Sequence, residues 1–104
     1  MVQYRVDVSE PAEDDLRDIV RYISAQLVVP ITAMKMIETI ESALLKLSDM
    51  PHGYPIVRDE RLASMGYRRV DVKSYTIFFT INEKEKVIDV ERILYARRDW
   101  ANLL

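Results

Sequence analysis

Residues 75–81, YTIFFTI, carry the clearest structural pattern in the chain. Its odd-numbered positions are all large and apolar, and its even-numbered positions carry Phe78 between two threonines. Alternation with period two predicts a β-strand. Apolar residues on both faces are typical of a strand in the interior of a sheet, covered on both sides. We therefore expect a central strand at residues 75–81.

Period-two patterns also flank this stretch. Residues 67–72 (YRRVDV) predict a strand before it, and residues 87–95 (VIDVERILY) predict a long strand after it. The polar run NEKE at residues 82–85 is typical of a turn, so the three strands are expected to form an antiparallel meander. Residues 97–104 follow as a short amphipathic helical tail, whose apolar side would dock on the core through Trp100.

The N-terminal part predicts one strand and two helices. Apolar and polar residues alternate over residues 2–8, which indicates a strand. Ser9-Glu10-Pro11 then supplies a helix start, and apolar residues spaced three and four apart predict a helix over about residues 11–27. Pro30 fits the first turn of a second helix that ends near Asp49. So short a link between two helices predicts an antiparallel helical hairpin.

The order β-α-α-β-β-β predicts an α+β fold with two layers. We expect a single domain over residues 1–104, with the helical hairpin packed on one face of an antiparallel sheet and a short helical tail at the C-terminus. Because both helices precede the meander, the other face of the sheet is expected to be open, or partly lined by the tail.

Composition excludes several classes of protein. The chain has no cysteine and a single histidine, His52, which rules out disulfides, thiolate zinc sites and metal sites that need two imidazoles. We interpret His52 as a loop residue. The two glycines cannot form a nucleotide-binding glycine loop, so we expect neither a metal nor a cofactor. We see no signal-peptide core and no apolar run of about 18 residues, and therefore expect a cytoplasmic protein.

Charge is distributed unevenly along the chain. The formal net charge of −2 argues against a general nucleic-acid binder. Residues 1–57 hold five Lys or Arg against nine Asp or Glu, and residues 58–104 hold ten against eight, which gives −4 and +2. An anionic target would therefore meet the C-terminal part of the chain.

Motifs at both ends of the chain carry a family resemblance. They are Tyr4-Arg5-Val6 with Ser9, Ala12, Asp15-Leu16 and Ile19, then Gly66-Tyr67-Arg68-Arg69, residues 75–79, and VERILYARRDW at residues 90–100. In this order and spacing they resemble the RelE/ParE family of small bacterial type II toxins, also called plasmid stabilisation proteins. The resemblance implies a cognate antitoxin as partner, in a toxin–antitoxin hetero-oligomer.

The family has two activities, which the resemblance leaves open. Relatives of the RelE kind cut mRNA in the ribosome and typically carry an arginine on the third strand. The matching position here is Thr76, which cannot supply a fixed positive charge to a phosphate. Relatives of the ParE kind inhibit DNA gyrase by contact. The missing arginine and the motif at residues 66–69 favour the ParE-like branch. The alternatives are a RelE-like RNase with a diverged active site and an inactive, antitoxin-binding member.

The candidates for contact with the target are cationic or aromatic residues of the C-terminal part: Arg68, Arg69, Arg92, Arg97, Arg98 and Trp100. If the protein is an RNase, the catalytic candidates are Arg69, Tyr95 and Arg97, with Tyr95 as the proton donor. Arg68 and Arg92 fall in phase with apolar strand residues, so each needs a carboxylate or water. Pairing inside the domain is as good an interpretation of these two arginines as target binding.

Overall fold

The computed structural model describes residues 3–26, 30–96 and 103–104. The elements are β1 (Arg5–Val8), α1 (Glu10–Gln26), α2 (Pro30–Lys46), a 3-10 turn (Pro51–Gly53), α3 (Glu60–Ser64), β2 (Arg68–Val72), β3 (Tyr75–Asn82) and β4 (Val87–Tyr95). The predicted α+β fold is confirmed, with α3 as a further short helix between α2 and β2. The tail predicted at residues 97–104 lies outside the described residues except for its last two. None of the described helices is long and apolar enough to cross a membrane.

The strands form one sheet in the order β1-β4-β3-β2. β3 lies between β4 and β2 and pairs with both in antiparallel orientation, which confirms the central strand and the meander. Phe78 and Phe79 at the middle of β3 are fully buried. The strand is buried on both faces, as its apolar pattern predicts.

The prediction of an entirely antiparallel sheet is wrong at β1. β1 pairs with β4 in parallel, with Val6 opposite Ile88 and Val8 opposite Val90. Alternation identifies which residues share a face of a strand, and that pattern is the same for both directions of pairing. A parallel pair needs a long connection, and here the hairpin and the meander together supply it.

The main core lies between the helical hairpin and what we call the inner face of the sheet. It combines buried residues of α1, α2, β2, β3 and β4 with Leu47, which follows α2: Ala12, Ile19, Ile23, Ala33, Ile40, Leu44, Val72, Tyr75, Ile77, Phe79, Ile88, Val90 and Ile93. Val6 and Val8 of β1 are partly buried against this core. Burial of each large side chain contributes about 1.5–3 kcal/mol. This layer therefore supplies most of the free energy that holds the sheet and hairpin together.

The opposite, outer face of the sheet carries a second, smaller core, which corrects the expectation of an open face. Val57 and Leu62 pack there on Phe78 and Leu94, with Leu104 against them. Leu62 belongs to α3, whose start is capped by Asp59 through the backbone N–H of Leu62 at 3.0 Å. The tail lines this face through its last residue, but α3 and the segment before it also cover the face.

A β-bulge interrupts β4. Phe78 lies opposite Arg92 and Phe79 lies opposite Val90, so Glu91 is the extra residue of β4. The bulge reverses the alternation of β4 beyond Val90. Arg92 therefore shares the outer face with Phe78, although its even number places it in phase with Ile88 and Val90 in the sequence.

Candidate functional site

The outer face brings two of the predicted arginines together. Arg69 and Arg92 both lie opposite Phe78, one on each neighbouring strand, so the three residues form a row across the sheet. This is the surface on which RNA-cleaving relatives, by the resemblance, hold their catalytic side chains. Its charges therefore decide what chemistry the protein can carry out there.

Thr76 occupies the position of the expected third-strand arginine, and it is 1% exposed. Its hydroxyl donates a hydrogen bond to Asp71 Oδ1 at 2.8 Å, and Arg69 Nη2 donates to the same oxygen at 2.8 Å. The hydrogen bond from Arg69, then that from Thr76, lowers the pKa of Asp71 against the opposing effect of burial. At this position the protein thus holds a neutral, buried hydroxyl beside an ionised carboxylate.

Arg92 is bound to Asp15 of α1. Its Nε and Nη2 atoms donate to the two carboxylate oxygens at 2.7 and 2.9 Å, and the side chains are 25% and 12% exposed. Asp15 also accepts the backbone N–H of Ile93 at 3.0 Å, while Arg92 Nη1 donates to the Leu103 carbonyl at 3.1 Å. The hydrogen bonds to Asp15 raise the pKa of Arg92. The guanidinium is therefore held inside the domain.

The beginning of α1 explains why Asp15 reaches β4. β1 ends at Val8, opposite Val90, and leaves the edge of β4 beyond that point without a strand. Ser9 continues the contact, because its hydroxyl donates to the Glu91 carbonyl at 3.0 Å and accepts from the N–H of Ala12 at 3.2 Å. Ser9 thus caps α1, as its position in the sequence predicts, and directs the first turns of the helix along β4.

Tyr67, Glu91 and Arg61 form a group on the outer face that the sequence analysis did not identify. Burial raises the pKa of Tyr67 and the charge of Glu91 raises it further, whereas Arg61 and Arg92 act in the opposite direction. Glu91 accepts a hydrogen bond from the Thr80 hydroxyl at 3.1 Å. Tyr67 lies two residues before Arg69, so the alternation of a strand could have predicted that both residues share the outer face. The position of Glu91 on this face depends on the β-bulge, which alternation does not predict.

Arg68 and Tyr95 lie on the inner face, away from Arg69. Arg68 lies opposite Phe79, and its Nη1 donates to the carbonyl oxygens of Tyr54 at 2.7 Å and His52 at 3.3 Å. Tyr95 lies opposite Tyr75 and contacts its ring edge-on. The catalytic candidates Arg69 and Tyr95 are therefore on opposite faces of the sheet. Arg97, Arg98 and Trp100 lie outside the described residues.

His52 lies in the 3-10 turn after α2, as a loop residue. Its Nε2 is 2.6 Å from Glu83 Oε1, and Lys86 Nζ and the Tyr4 hydroxyl also bind Glu83. The hydrogen bonds from Lys86 and Tyr4 lower the pKa of Glu83. Within the described ranges, no three His, Asp or Glu side chains come together as metal ligands.

The family of the chain follows from its match to a protein-family model. The model of the ParE toxin of the type II toxin–antitoxin system parDE matches residues 6–100. The chain belongs to the ParE toxin family. It is thus a toxin of the ParE/RelE superfamily of type II toxin–antitoxin systems. No curated protein matches the sequence.

Solved structures agree with this fold. The chromosomal ParDE system of P. aeruginosa is similar at a TM-score of 0.75 and 17% identity, over 93% of this chain and 100% of that one. The RelBE2 complex of Mycobacterium tuberculosis follows at a TM-score of 0.62 and 21% identity, over 90% and 99%. The intact RelBE complex of E. coli is similar at a TM-score of 0.59 and 16% identity, over 91% of this chain and 99% of that one. At such low identity the likeness concerns the fold alone.

Proposed function

We propose that the protein is a cytoplasmic toxin that inhibits DNA gyrase by contact and is neutralised by a cognate antitoxin. The observation that supports contact rather than RNA cleavage is Thr76, buried and bonded to Asp71 where an RNA-cleaving relative holds an arginine. Loss of one donor to a developing negative charge costs about 10²- to 10³-fold in rate. An RNase would have to recover that factor from other cations.

The two cations in the row across the outer face, Arg69 and Arg92, are already paired with carboxylates. Arg92 binds Asp15, and Arg69 binds Asp71. A guanidinium that shares its charge with a carboxylate stabilises a pentavalent phosphate less than one held free for it. Glu91 adds a further carboxylate to this face, beside Thr80. Phosphate binding on the outer face is therefore opposed by nearby negative charge.

Target contact then falls to the residues that follow β4. Arg97, Arg98 and Trp100 combine two cations with one aromatic ring, a composition typical of residues that dominate the energy of protein interfaces. Arg68, Arg69 and Arg92, which were also candidates, make contacts within the domain. We therefore propose that gyrase is contacted mainly through residues 97–100.

A groove at the other edge of the sheet is suited to the antitoxin. It has a volume of about 790 Å³ and lies between α2 and β2, with Lys35, Lys46 and Lys73 among its lining residues. Beyond Arg69, the described residues provide no backbone partner for the outer edge of β2 at Asp71. An extended antitoxin segment can pair with such an edge. The three lysines outnumber Glu38 and Asp71 in the lining and so favour a segment with acidic side chains. The similar ParDE and RelBE structures are toxin–antitoxin systems, which supports this partner.

Induced expression with and without the antitoxin tests the proposal. The proposal predicts growth arrest in which DNA breaks precede any cleavage of mRNA, and rescue when the antitoxin is expressed as well. Cleavage of mRNA at ribosomes before DNA damage would contradict it. Absence of arrest by the soluble, folded protein would also contradict it, in favour of an inactive member that only binds its antitoxin.

One observation favours RNA cleavage as the second candidate function. Tyr67, Glu91, Arg69 and Arg92 share the outer face around Phe78, so a proton donor, a carboxylate and two cations do lie near one another. General acid–base groups contribute about 10²- to 10⁴-fold each. Loss of growth arrest in Tyr67→Phe or Glu91→Gln, with folding unchanged, would support this candidate. The gyrase proposal predicts full arrest in both variants.

A further inference from the structure

A cleft that none of these functions uses lies beside α1, where β3 begins and β4 ends. It has a volume of about 390 Å³ and is lined by Tyr22, Tyr75 and Tyr95, by the apolar Ile19, and by the carboxylates of Asp15 and Asp18. We call it the tyrosine cleft. Pockets for small ligands span about 300–1,000 Å³, so it has room for one long side chain but not for a helix.

The three aromatic rings form a buried floor and two exposed walls. Tyr75 is 8% exposed, whereas Tyr22 and Tyr95 are 62% and 41% exposed. The rings of Tyr75 and Tyr95 meet edge-on, with centroids 5.9 Å apart. Burial raises the pKa of Tyr75, and the nearby hydroxyl groups of Tyr22 and Tyr95 raise it further. The cleft therefore presents tyrosine rings on its floor and on its walls.

The two carboxylates differ in their availability. Asp15 is bound to Arg92 and to the N–H of Ile93, so its oxygens are in use. Asp18 is paired only loosely with Arg21, at 3.6 Å, and both side chains are more than 70% exposed. An exposed pair of this kind is worth little and exchanges easily with another partner. Asp18 can therefore accept a cation that enters the cleft.

Aromatic faces together with an exposed, weakly paired carboxylate favour a planar cation. An arginine guanidinium stacks on tyrosine rings, donates five hydrogen bonds and pairs with a carboxylate in a bidentate manner. A stacked nucleotide would instead bring its phosphate beside Asp15 and Asp18, which repel it. We propose that the tyrosine cleft binds an arginine side chain presented by a protein partner. This site is independent of whether the toxin acts on gyrase or on RNA.

The first test compares two ligands of nearly the same shape, of which only one carries a charge. The full chain, labelled with ¹⁵N, is titrated with N-acetyl-arginine amide and with N-acetyl-citrulline amide, whose side chain has nearly the same shape without the charge. We expect saturable amide shifts at Tyr22, Tyr95 and Asp18, with an affinity for the arginine derivative in the millimolar range and at least about threefold above that for citrulline. Equal binding of both, scattered shifts or no saturation would overturn the proposal. Tighter binding of adenosine 5′-monophosphate would also overturn it, in favour of a nucleotide.

Substitutions at exposed residues of the cleft should change the affinity for the arginine derivative in opposite directions. Asp18→Asn removes the carboxylate and should weaken binding of the arginine derivative between about 1.5-fold and fivefold, whereas Arg21→Gln removes the competing cation and should tighten it by a similar factor. Tyr22→Leu should weaken binding more than Tyr22→Phe, because only phenylalanine keeps the ring. If Asp18→Asn and Arg21→Gln shift the affinity in the same direction, the proposal is wrong.

Discussion

Replacement of Asp15 by asparagine should lower the free energy of unfolding by about 2 kcal/mol, because it leaves the guanidinium of Arg92 without a carboxylate inside the domain. The Arg92 and Asp15 side chains are only 25% and 12% exposed, so solvent cannot fully replace the lost partner. Hydrogen bonds to charged groups contribute about 1.5–3 kcal/mol. Asparagine keeps one oxygen that can still accept the N–H of Ile93, so the loss is that of the charge and of the acceptor for Arg92 Nη2.

Asp15→Ala should cost more, about 3–5 kcal/mol, because it also leaves the buried N–H of Ile93 without an acceptor. Asp14→Asn is the matched control on the same helix. Asp14 is paired with Arg17, but these side chains are 69% and 62% exposed, and the cost should stay below about 0.5 kcal/mol.

Urea unfolding followed by far-ultraviolet circular dichroism measures these differences. With an m-value of about 1–3 kcal/mol per molar urea, a loss of 2 kcal/mol moves the midpoint by about 1 M. A double-mutant cycle of Asp15→Asn with Arg92→Met should give a coupling of at least about 1.5 kcal/mol. Equal losses in Asp15→Asn and Asp14→Asn, or no coupling with Arg92, would refute the reasoning that α1 is bound to β4 through this pair.

Three further outcomes are expected. The pKa of Asp71, measured by nuclear magnetic resonance, should lie below its ordinary value, and Arg69→Met should return it toward normal. The ionised Asp71 therefore stabilises the fold above the unfolded-state pKa, and this stabilisation is lost as the pH falls through the folded-state pKa. Leu62→Ala should cost about 2–5 kcal/mol in urea unfolding, since Leu62 is fully buried on the outer face, and a loss below 1 kcal/mol would contradict a second core there. Arg97→Ala combined with Arg98→Ala should weaken growth arrest at an unchanged unfolding midpoint, whereas undiminished arrest would exclude these arginines as target contacts.

Much of the fold follows from local patterns in the sequence. The alternation at residues 75–81 predicts a strand buried on both faces, and the spacing of apolar residues predicts both long helices to within a few positions. The parallel direction of β1 could not be predicted, because direction depends on a partner strand far away in the sequence. The cover of the outer face by α3 was also missed, since one buried leucine in a five-residue helix leaves no periodic signal.

The candidate site was predictable only in part. Arg68 and Arg92, which alternate in phase with apolar strand residues, were both expected to need a partner. Arg68 donates to backbone carbonyl oxygens, and Arg92 binds Asp15, which is 77 residues away in the sequence. The bulge at Glu91 moves Arg92 to the face opposite the one its number implies. A single inserted position therefore changes which side chains share the outer face, and alternation alone cannot detect it.

Inhibition of DNA gyrase by contact, without cleavage of RNA, is the action that we propose for this ParE-family toxin. Its most direct test incubates the purified toxin with purified gyrase, ATP and supercoiled plasmid, and measures linear DNA after the protein is digested. If the toxin acts in this way, linear DNA accumulates as the toxin concentration rises, and added antitoxin prevents this. Unchanged gyrase activity at a large excess of toxin, together with cleavage of mRNA on programmed ribosomes by the same preparation, would contradict it.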